Sequence, residues 1–365
     1  MINYTDNEQA LIFMSCLEFF TSKIFEKVCQ QLSHPKDIFD ENFDAQILKP
    51  ILKSNFLAFE SALGNFNKKT FFEALNKRGI KCLTILSQNY PQRLSRLNDP
   101  PYVLFMVGNE QLLNSNTVAM VGARNPSTYG KLVTQKFAKS LAQNAVTIVS
   151  GLASGVDKLA HEGALAVNGN TIAVLAGGFD HMFPAMNINL AREIAQKGLI
   201  ITEHFVTHKP TKYSFPTRNR IIAALSDAIL ITEAGKKSGS LYTSEFGTEM
   251  GIDTYCVPGN ITNELSYSTN DLIKKGAAAC VTSPDDILCL FGITKSEAKK
   301  QNVMQMQLSF EETAICNLLK DGEKDFIFLQ EKTGFSTQNL NIGLTSLEIR
   351  GIIKKLVGNV YVLCE

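Results

Sequence analysis

Most short signatures of an enzyme or a metalloprotein are missing from this 365-residue chain. No GxGxxG turn is present for a dinucleotide, and neither GxxxxGKS nor GxxxxGKT for a nucleoside triphosphate. GxSxG, the strained elbow of many hydrolases, is absent as well. Eight cysteines are scattered at 16, 29, 82, 256, 280, 289, 316 and 364, with no CxxC pair. No Cys/His cluster has zinc spacing, so they read as free thiols of a reducing compartment. No apolar run approaches the ~18 residues of a membrane span. Acidic Asp6 and Glu8 stand where a secretory leader would be basic. The expectation is a cytoplasmic protein with no cofactor, no metal and no membrane partner.

A strong charge of one sign is lacking too. The formal net charge is +1, and residues 118–290 hold fifteen Lys/Arg against fourteen Asp/Glu. Any nucleic-acid contact must come from local basic patches. The 45% apolar and 19% charged content fits a folded chain and excludes disorder. The length implies two or three domains.

What is present is a series of four apolar runs, each closed by a glycine-rich turn. They read TVAMVGARNPSTYG (117–130), TIVSGLASGVD (147–157), TIAVLAGGFD (171–180) and AILITEAGKKSGS (228–240). The runs have the length and β-branched content of buried parallel strands. A helical pattern follows each turn, so the fold class is α/β, a doubly wound parallel sheet. All such turns lie at the carboxyl edge of the sheet, where backbone N–H groups and helix N-termini can receive phosphate.

The flanks differ in pattern. Residues 1–66 carry helix-period apolar residues and read as a helical domain, ending near the polar stretch 64–69. Residues 67–292 hold the sheet, beginning with a helix and two short strands punctuated by Pro91, Pro100 and Pro101. Residues 293–308 read as a linker. In 309–365, three helical stretches precede a β pair turning at Gly358-Asn359, the order of a winged helix.

The turns carry the candidate site. Gly122 closes the first strand, Arg124 follows, and Ser127 opens a helix. Gly151 and Gly155 shape the second turn. Asp157 and His161 beyond them invite an acid–base reading, or equally a capping Asp with a packed His. Gly178 permits close backbone approach in the third turn, and Phe183 lies beyond it. The string Ser214-Phe215-Pro216-Thr217-Arg218-Asn219-Arg220, preceded by Lys212, places two arginines where a helix begins. Cations there oppose the helix dipole unless an anion is bound. Arginine beside phenylalanine suits single-stranded nucleic acid, whose phosphates need cations and whose bases stack on rings. Alternatively an arginine pairs with a carboxylate such as Glu233. Lys236 and Ser238 extend the same rim.

In order and spacing these strings resemble the DNA-processing protein A family (DprA, also called Smf). The matching stretches are VGARNPSTYG, SGLASGVDKLAHEGAL, TIAVLAGGFDHMFPAMN, FPTRNRIIAALS, EAGKKSGSLYTSEFG, VPG (257–259) and NDLIKKGAA, spanning about 117–280. The resemblance implies an extended Rossmann-like domain, an N-terminal sterile-alpha-motif-like domain and a C-terminal winged-helix domain. It also implies a non-catalytic recombination mediator that binds single-stranded DNA, forms a homodimer and loads the recombinase RecA during natural transformation. Carried over by motif, the DNA-binding residues are Gly122, Arg124, Ser127, Gly151, Gly155, Gly178, Phe215, Arg218, Asn219 and Arg220, with Lys212, Lys236 and Ser238 on the rim. Phe183-Pro184-Ala185-Met186-Asn187 lacks a basic residue that the family often has, and Ile252 stands where an arginine is common. The alternative is a related nucleoside-monophosphate phosphoribohydrolase. Residues 238–245 only loosely echo its PGGxGTxxE loop.

Overall fold

The apolar runs between Thr117 and Cys280 become neighbouring strands of one sheet. The computed structural model describes residues 4–293, 309–349, 352–356 and 358–363. Contacts divide the chain into two units, Met1–Thr294 and Lys295–Glu365. Strands and helices of eight residues or more are numbered here. The first unit opens with α1 (Asp6–Ser15), α2 (Ser22–Gln31), α3 (Phe56–Gly64) and α4 (Lys68–Lys77). Then come β1 (Lys81–Thr84), β2 (Val103–Gly108), β3 (Thr117–Val121), α5 (Thr128–Gln143), β4 (Thr147–Ser150), α6 (Val156–Leu165) and β5 (Thr171–Val174). It continues through α7 (Ile188–Lys197), β6 (Leu199–Thr202), α8 (Ser214–Ala224), β7 (Ala228–Ile231), α9 (Ser240–Glu249), β8 (Thr254–Cys256), α10 (Tyr267–Lys274) and β9 (Ala279–Cys280).

The strand order is β1-β2-β6-β5-β4-β3-β7-β8-β9. From β6 to β9 neighbouring strands run parallel, as the alternation of runs and helices implies. Every residue of β3 is buried. Its Val118 and Met120 pack with Phe137 of α5 and Ala160 of α6. Its Ala119 and Val121 face Ile221 and Ile222 of α8. Helices therefore cover both faces, which is why these strands are apolar throughout rather than alternating. β2 closes the other edge differently. It pairs antiparallel with β1 and with β6, Phe105 opposite Thr202.

The N-terminal helices share this edge rather than standing apart. Phe13, Phe20, Phe25, Phe56 and Phe59 lie in one apolar cluster with Cys82 of β1 and with Val103 and Phe105 of β2. Phe25 stacks on Tyr102 with centroids 4.7 Å apart. The Cys82 N–H donates to the Tyr4 hydroxyl at 2.8 Å. A boundary at residue 66 thus runs through a common core. The polar stretch that marked it is the turn between α3 and α4.

The second unit contains α11 (Phe310–Leu319), β10 (Lys324–Asp325), α12 (Phe326–Thr333), α13 (Thr337–Ile349), β11 (Ile353–Leu356) and β12 (Val360–Leu363). Its strands form an antiparallel sheet in the order β10-β12-β11. Leu319, Leu329, Leu344, Leu347 and Tyr361 fill its core. Gly358 and Asn359 turn the hairpin with φ of +86° and +56°, as their residue types predict. Of the stretch read as a linker, 294–308 lies outside the described residues, as does Arg350. Among the described residues no helix is long and apolar enough to cross a membrane.

Candidate nucleic-acid interface

Chain order reverses beside β3. β4 to β6 continue on one side, and β7 to β9 on the other. The loops after β3 and β7 therefore diverge and leave a crevice at the carboxyl end of the sheet. A cleft of about 930 Å³ occupies it. Gly122 to Asn125 and Gly235 to Ser240 form two walls, and Ala153, Phe183 and the segment from Pro210 to Asn219 close the others. The first, second and fourth glycine turns meet there, and the third contributes only Phe183, three residues beyond its Asp180. Five cations line it, namely Arg124, Lys212, Arg218, Lys236 and Lys237, against one carboxylate, Asp157. A nearly neutral chain has concentrated positive charge in one concavity.

Three of the exposed cations sit beside rings. Arg124 lies over Phe215 at 5.7 Å from the ring centre. Phe215 meets Phe183 edge to face at 5.7 Å, and Phe183 is 57% exposed. Lys236 lies 4.5 Å from the Tyr267 ring, and Lys212 lies 5.0 Å from Tyr213. Arg124 makes no ion pair among the described residues, so its charge is available. A rim of cations and rings offers phosphate neutralisation and base stacking together.

Arg218 and Arg220 are placed otherwise. Both are buried in α8. Arg218 Nη1 donates to the Gly151 carbonyl at 2.7 Å and to the Val174 carbonyl. Burial pushes its pKa down to about 10, with Asp157 opposing that shift. Burial raises the Asp157 carboxyl, and Arg218 pulls it back. Arg220 Nε is 3.0 Å from Asp99, and its Nη2 is 2.6 Å from Glu203. The expected pair of phosphate ligands is thus an internal scaffold. Arg218 ties the ends of β4 and β5 to α8, and Arg220 has its own carboxylates. Neither carboxylate is Glu233. The dipole argument asked for an anion at the start of α8, and the protein supplies carbonyls and carboxylates.

Glu233 has another task. Its carboxylate accepts from the Ser127 N–H at 2.8 Å and from Ser127 Oγ at 2.5 Å. Ser127 Oγ in turn accepts from the Gly130 N–H at 3.1 Å. A Cβ on Gly130 would overlap this carboxylate. The N-terminus of α5, predicted as a phosphate seat, is already closed by the protein's own anion.

The remaining predicted residues shape the walls. Gly155 has φ +81°, and a side chain there would strike the carbonyls of Ala123 and Arg124. A Cβ on Gly151 would fill the space of the Arg218 guanidinium. Gly122 abuts the Glu233 carbonyl, and the Gly178 N–H donates to the His208 carbonyl at 2.9 Å. Asn219 Nδ2 donates to the Gly239 carbonyl at 3.2 Å, joining α8 to the loop after β7. Ser238 and Ser240 hydroxyls are 2.7 Å apart. Asp157 and His161 do not form an acid–base pair. Asp157 accepts from the Gly151 N–H at 3.1 Å, whereas fully buried His161 bonds Thr171 Oγ1 through Nδ1 at 2.6 Å.

Sequence reasoning missed Tyr213 and Tyr242, both exposed beside the cleft. Thr243, whose hydroxyl the sequence places on the same rim, lines the cleft with that hydroxyl buried and without a partner among the described residues. A tyrosine three residues after Gly239 of the fourth turn was the available signal for Tyr242.

A large, mostly parallel sheet with helices on both faces and a cleft at its switch point defines an α/β protein. The family model described as DNA recombination-mediator protein A matches residues 81–292, and the chain belongs to that family. It is 39% identical over 215 residues to DNA processing protein DprA of Bacillus subtilis, covering 59% of this chain and 72% of that one. To DprA of Streptococcus pneumoniae it is 41% identical over 208 residues, covering 57% and 73%. The X-ray structure of the Streptococcus pneumoniae protein superposes with a TM-score of 0.67 at 33% identity, over 79% of this chain and 98% of that one. DNA processing protein A from Helicobacter pylori, solved for its single-stranded DNA binding mode, gives a TM-score of 0.53 at 34% identity, over 58% and 95%.

Proposed function

We propose that this protein binds single-stranded DNA along the switch-point cleft and acts as a recombination mediator without catalysis of its own. The observation that carries the reading is the rim of the cleft. Arg124 over Phe215, Phe215 against Phe183, and Lys236 over Tyr267 alternate charge with stacking surface. Family membership and the similarity to the Helicobacter pylori protein support it. Arg124, Lys212 and Lys236 neutralise phosphates in this scheme, Phe215 and Phe183 support bases, and Arg218 and Asn219 hold the walls. Loading of RecA, assembly as a homodimer, action in the cytoplasm and a role in natural transformation belong to the same proposal. The second unit, with its helices, short first strand and terminal hairpin, is proposed to be a winged helix. Its third helix carries Glu348 and no cluster of cations among the described residues, so partner contact is favoured over duplex reading.

Fluorescence anisotropy with labelled oligo-dT and with a duplex of equal length tests the central claim. The single strand is expected to bind at least ten-fold more tightly. Arg124→Ala with Phe215→Ala is expected to remove most of that affinity. Wild-type binding by the double variant, or equal affinity for duplex, overturns the reading.

A further inference from the structure

Two free thiols stand side by side at the edge of the large sheet. Cys256 ends β8 and Cys280 ends β9, and they are direct partners in the parallel pairing of those strands. Paired residues of adjacent strands project to the same face. The Val281 N–H donates to the Cys256 carbonyl at 3.0 Å, which holds the two backbones at ladder spacing. That spacing, about 4.8 Å, falls within the Cα separation of protein disulfides, about 4.4–6.8 Å. Cys256 is fully buried beside Ile231 and Ala278, whereas Cys280 is exposed. β9 is two residues long and last in the strand order, so it can shift to meet the geometry of a bond. Burial pushes the Cys256 thiol up to about 12, and neighbouring Cys280 adds to that effect. The exposed sulfur is the one that meets an oxidant first.

We propose that Cys256 and Cys280 are a peroxide-oxidisable dithiol that staples the edge strand to the sheet. Cys280 sulfur attacks one oxygen of hydrogen peroxide. The S–O bond forms, the O–O bond breaks, and the products are a sulfenic acid and water. Cys256 sulfur then attacks Cys280 sulfur. The S–S bond forms and the S–O bond breaks, and the departing hydroxyl takes the Cys256 proton as a second water. The thiols lose two electrons and the peroxide gains them. Neither sulfur lines the cleft, so the staple is separate from DNA contact. The competing thiol is Cys289, which is exposed and donates to the Asp286 carbonyl at 3.1 Å.

Peptide mapping tests this. The full chain is treated with hydrogen peroxide, alkylated, and digested with trypsin without reduction. Peptide 238–274 contains Cys256, and peptide 276–295 contains Cys280 and Cys289. The expected product joins them, about 2 Da below their summed thiol masses. It persists in Cys289→Ser and is lost in Cys280→Ser. A Cys256 that stays a free thiol while Cys280 is over-oxidised overturns the proposal. A bond from Cys280 to Cys289, or one between two chains, overturns it equally.

Discussion

Glu233 closes the N-terminus of α5 through Ser127, whose N–H and hydroxyl both donate to its buried carboxylate. An anion supplied by the end of β7 thus occupies the helix end that follows β3, and the two switch-point loops are tied together. Ser127→Ala is expected to cost about 1–2 kcal/mol of stability, the usual loss for a helix cap. Oligo-dT affinity is expected to change by less than two-fold. Chemical denaturation and anisotropy on the same sample check this. A large loss of affinity in a stable variant would return Ser127 to the DNA-contacting set.

Arg124 offers the opposite signature. It is exposed, has no ion pair among the described residues, and lies over Phe215. Arg124→Ala is expected to weaken binding and to reduce the slope of log affinity against log salt by about 0.7, the share of one phosphate on a single strand. Its thermal midpoint should match wild type. A salt titration by anisotropy reads the slope, and an unchanged slope removes Arg124 from the phosphate contacts.

Arg220 belongs to the fold. Removing it strands Glu203, whose side chain is only 15% exposed, and frees Asp99. Arg220→Ala is expected to destabilise the first unit by about 3–5 kcal/mol, the range for breaking a buried pair. Replacing both members of the pair, Arg220→Met with Glu203→Leu, should recover much of the loss. Urea unfolding of the three proteins decides it. A single variant as stable as wild type would show that the pair contributes nothing.

Buried His161 and partly buried His204 make stability depend on pH. Burial pushes His161 and His204 each to about 3. In the unfolded chain a histidine takes its proton near pH 6.5. The folded value is depressed, so the stabilisation is complete above about 6.5 and is lost as pH falls toward 3. Well below 6.5 each histidine is expected to remove on the order of 1 kcal/mol per pH unit. Urea midpoints at several pH values between 7 and 5 measure the slope, and His161→Asn should reduce it. A variant with the wild-type slope excludes His161 as a source.

The parallel part of the fold was readable because its signals are local. A β-branched run, a glycine turn and a helical period each occupy a dozen residues, and β3, β4, β5 and β7 fall on the predicted runs. The orientation of long side chains was not readable. Arg218 turns inward because the carbonyls of Gly151 and Val174, 67 and 44 residues earlier, stand at the floor of the cleft. Ser127 loses its vacancy to a carboxylate 106 residues later. Such partners are brought together by strand order, which no single turn encodes. The shared aromatic core of α1 to α4 with β1 and β2 was hidden for the same reason. A helical period reports that one face is apolar, not what covers it.

Strand order also sets a schedule. β2 has only β1 beside it until the residues of β6, Leu199–Thr202, have been made, because β6 is its other partner. The helices that share a core with β1 and β2 therefore leave the ribosome long before the edge they pack on is fixed. The cleft comes later still, since its last wall is the loop after β7 and Leu265 beyond it. A nascent chain stalled anywhere before that point displays Arg124 and Phe215 without the walls that give them a shared occupant. The cleft proposed to bind DNA is thus complete only once Leu265 has been made, before the last strand of the sheet.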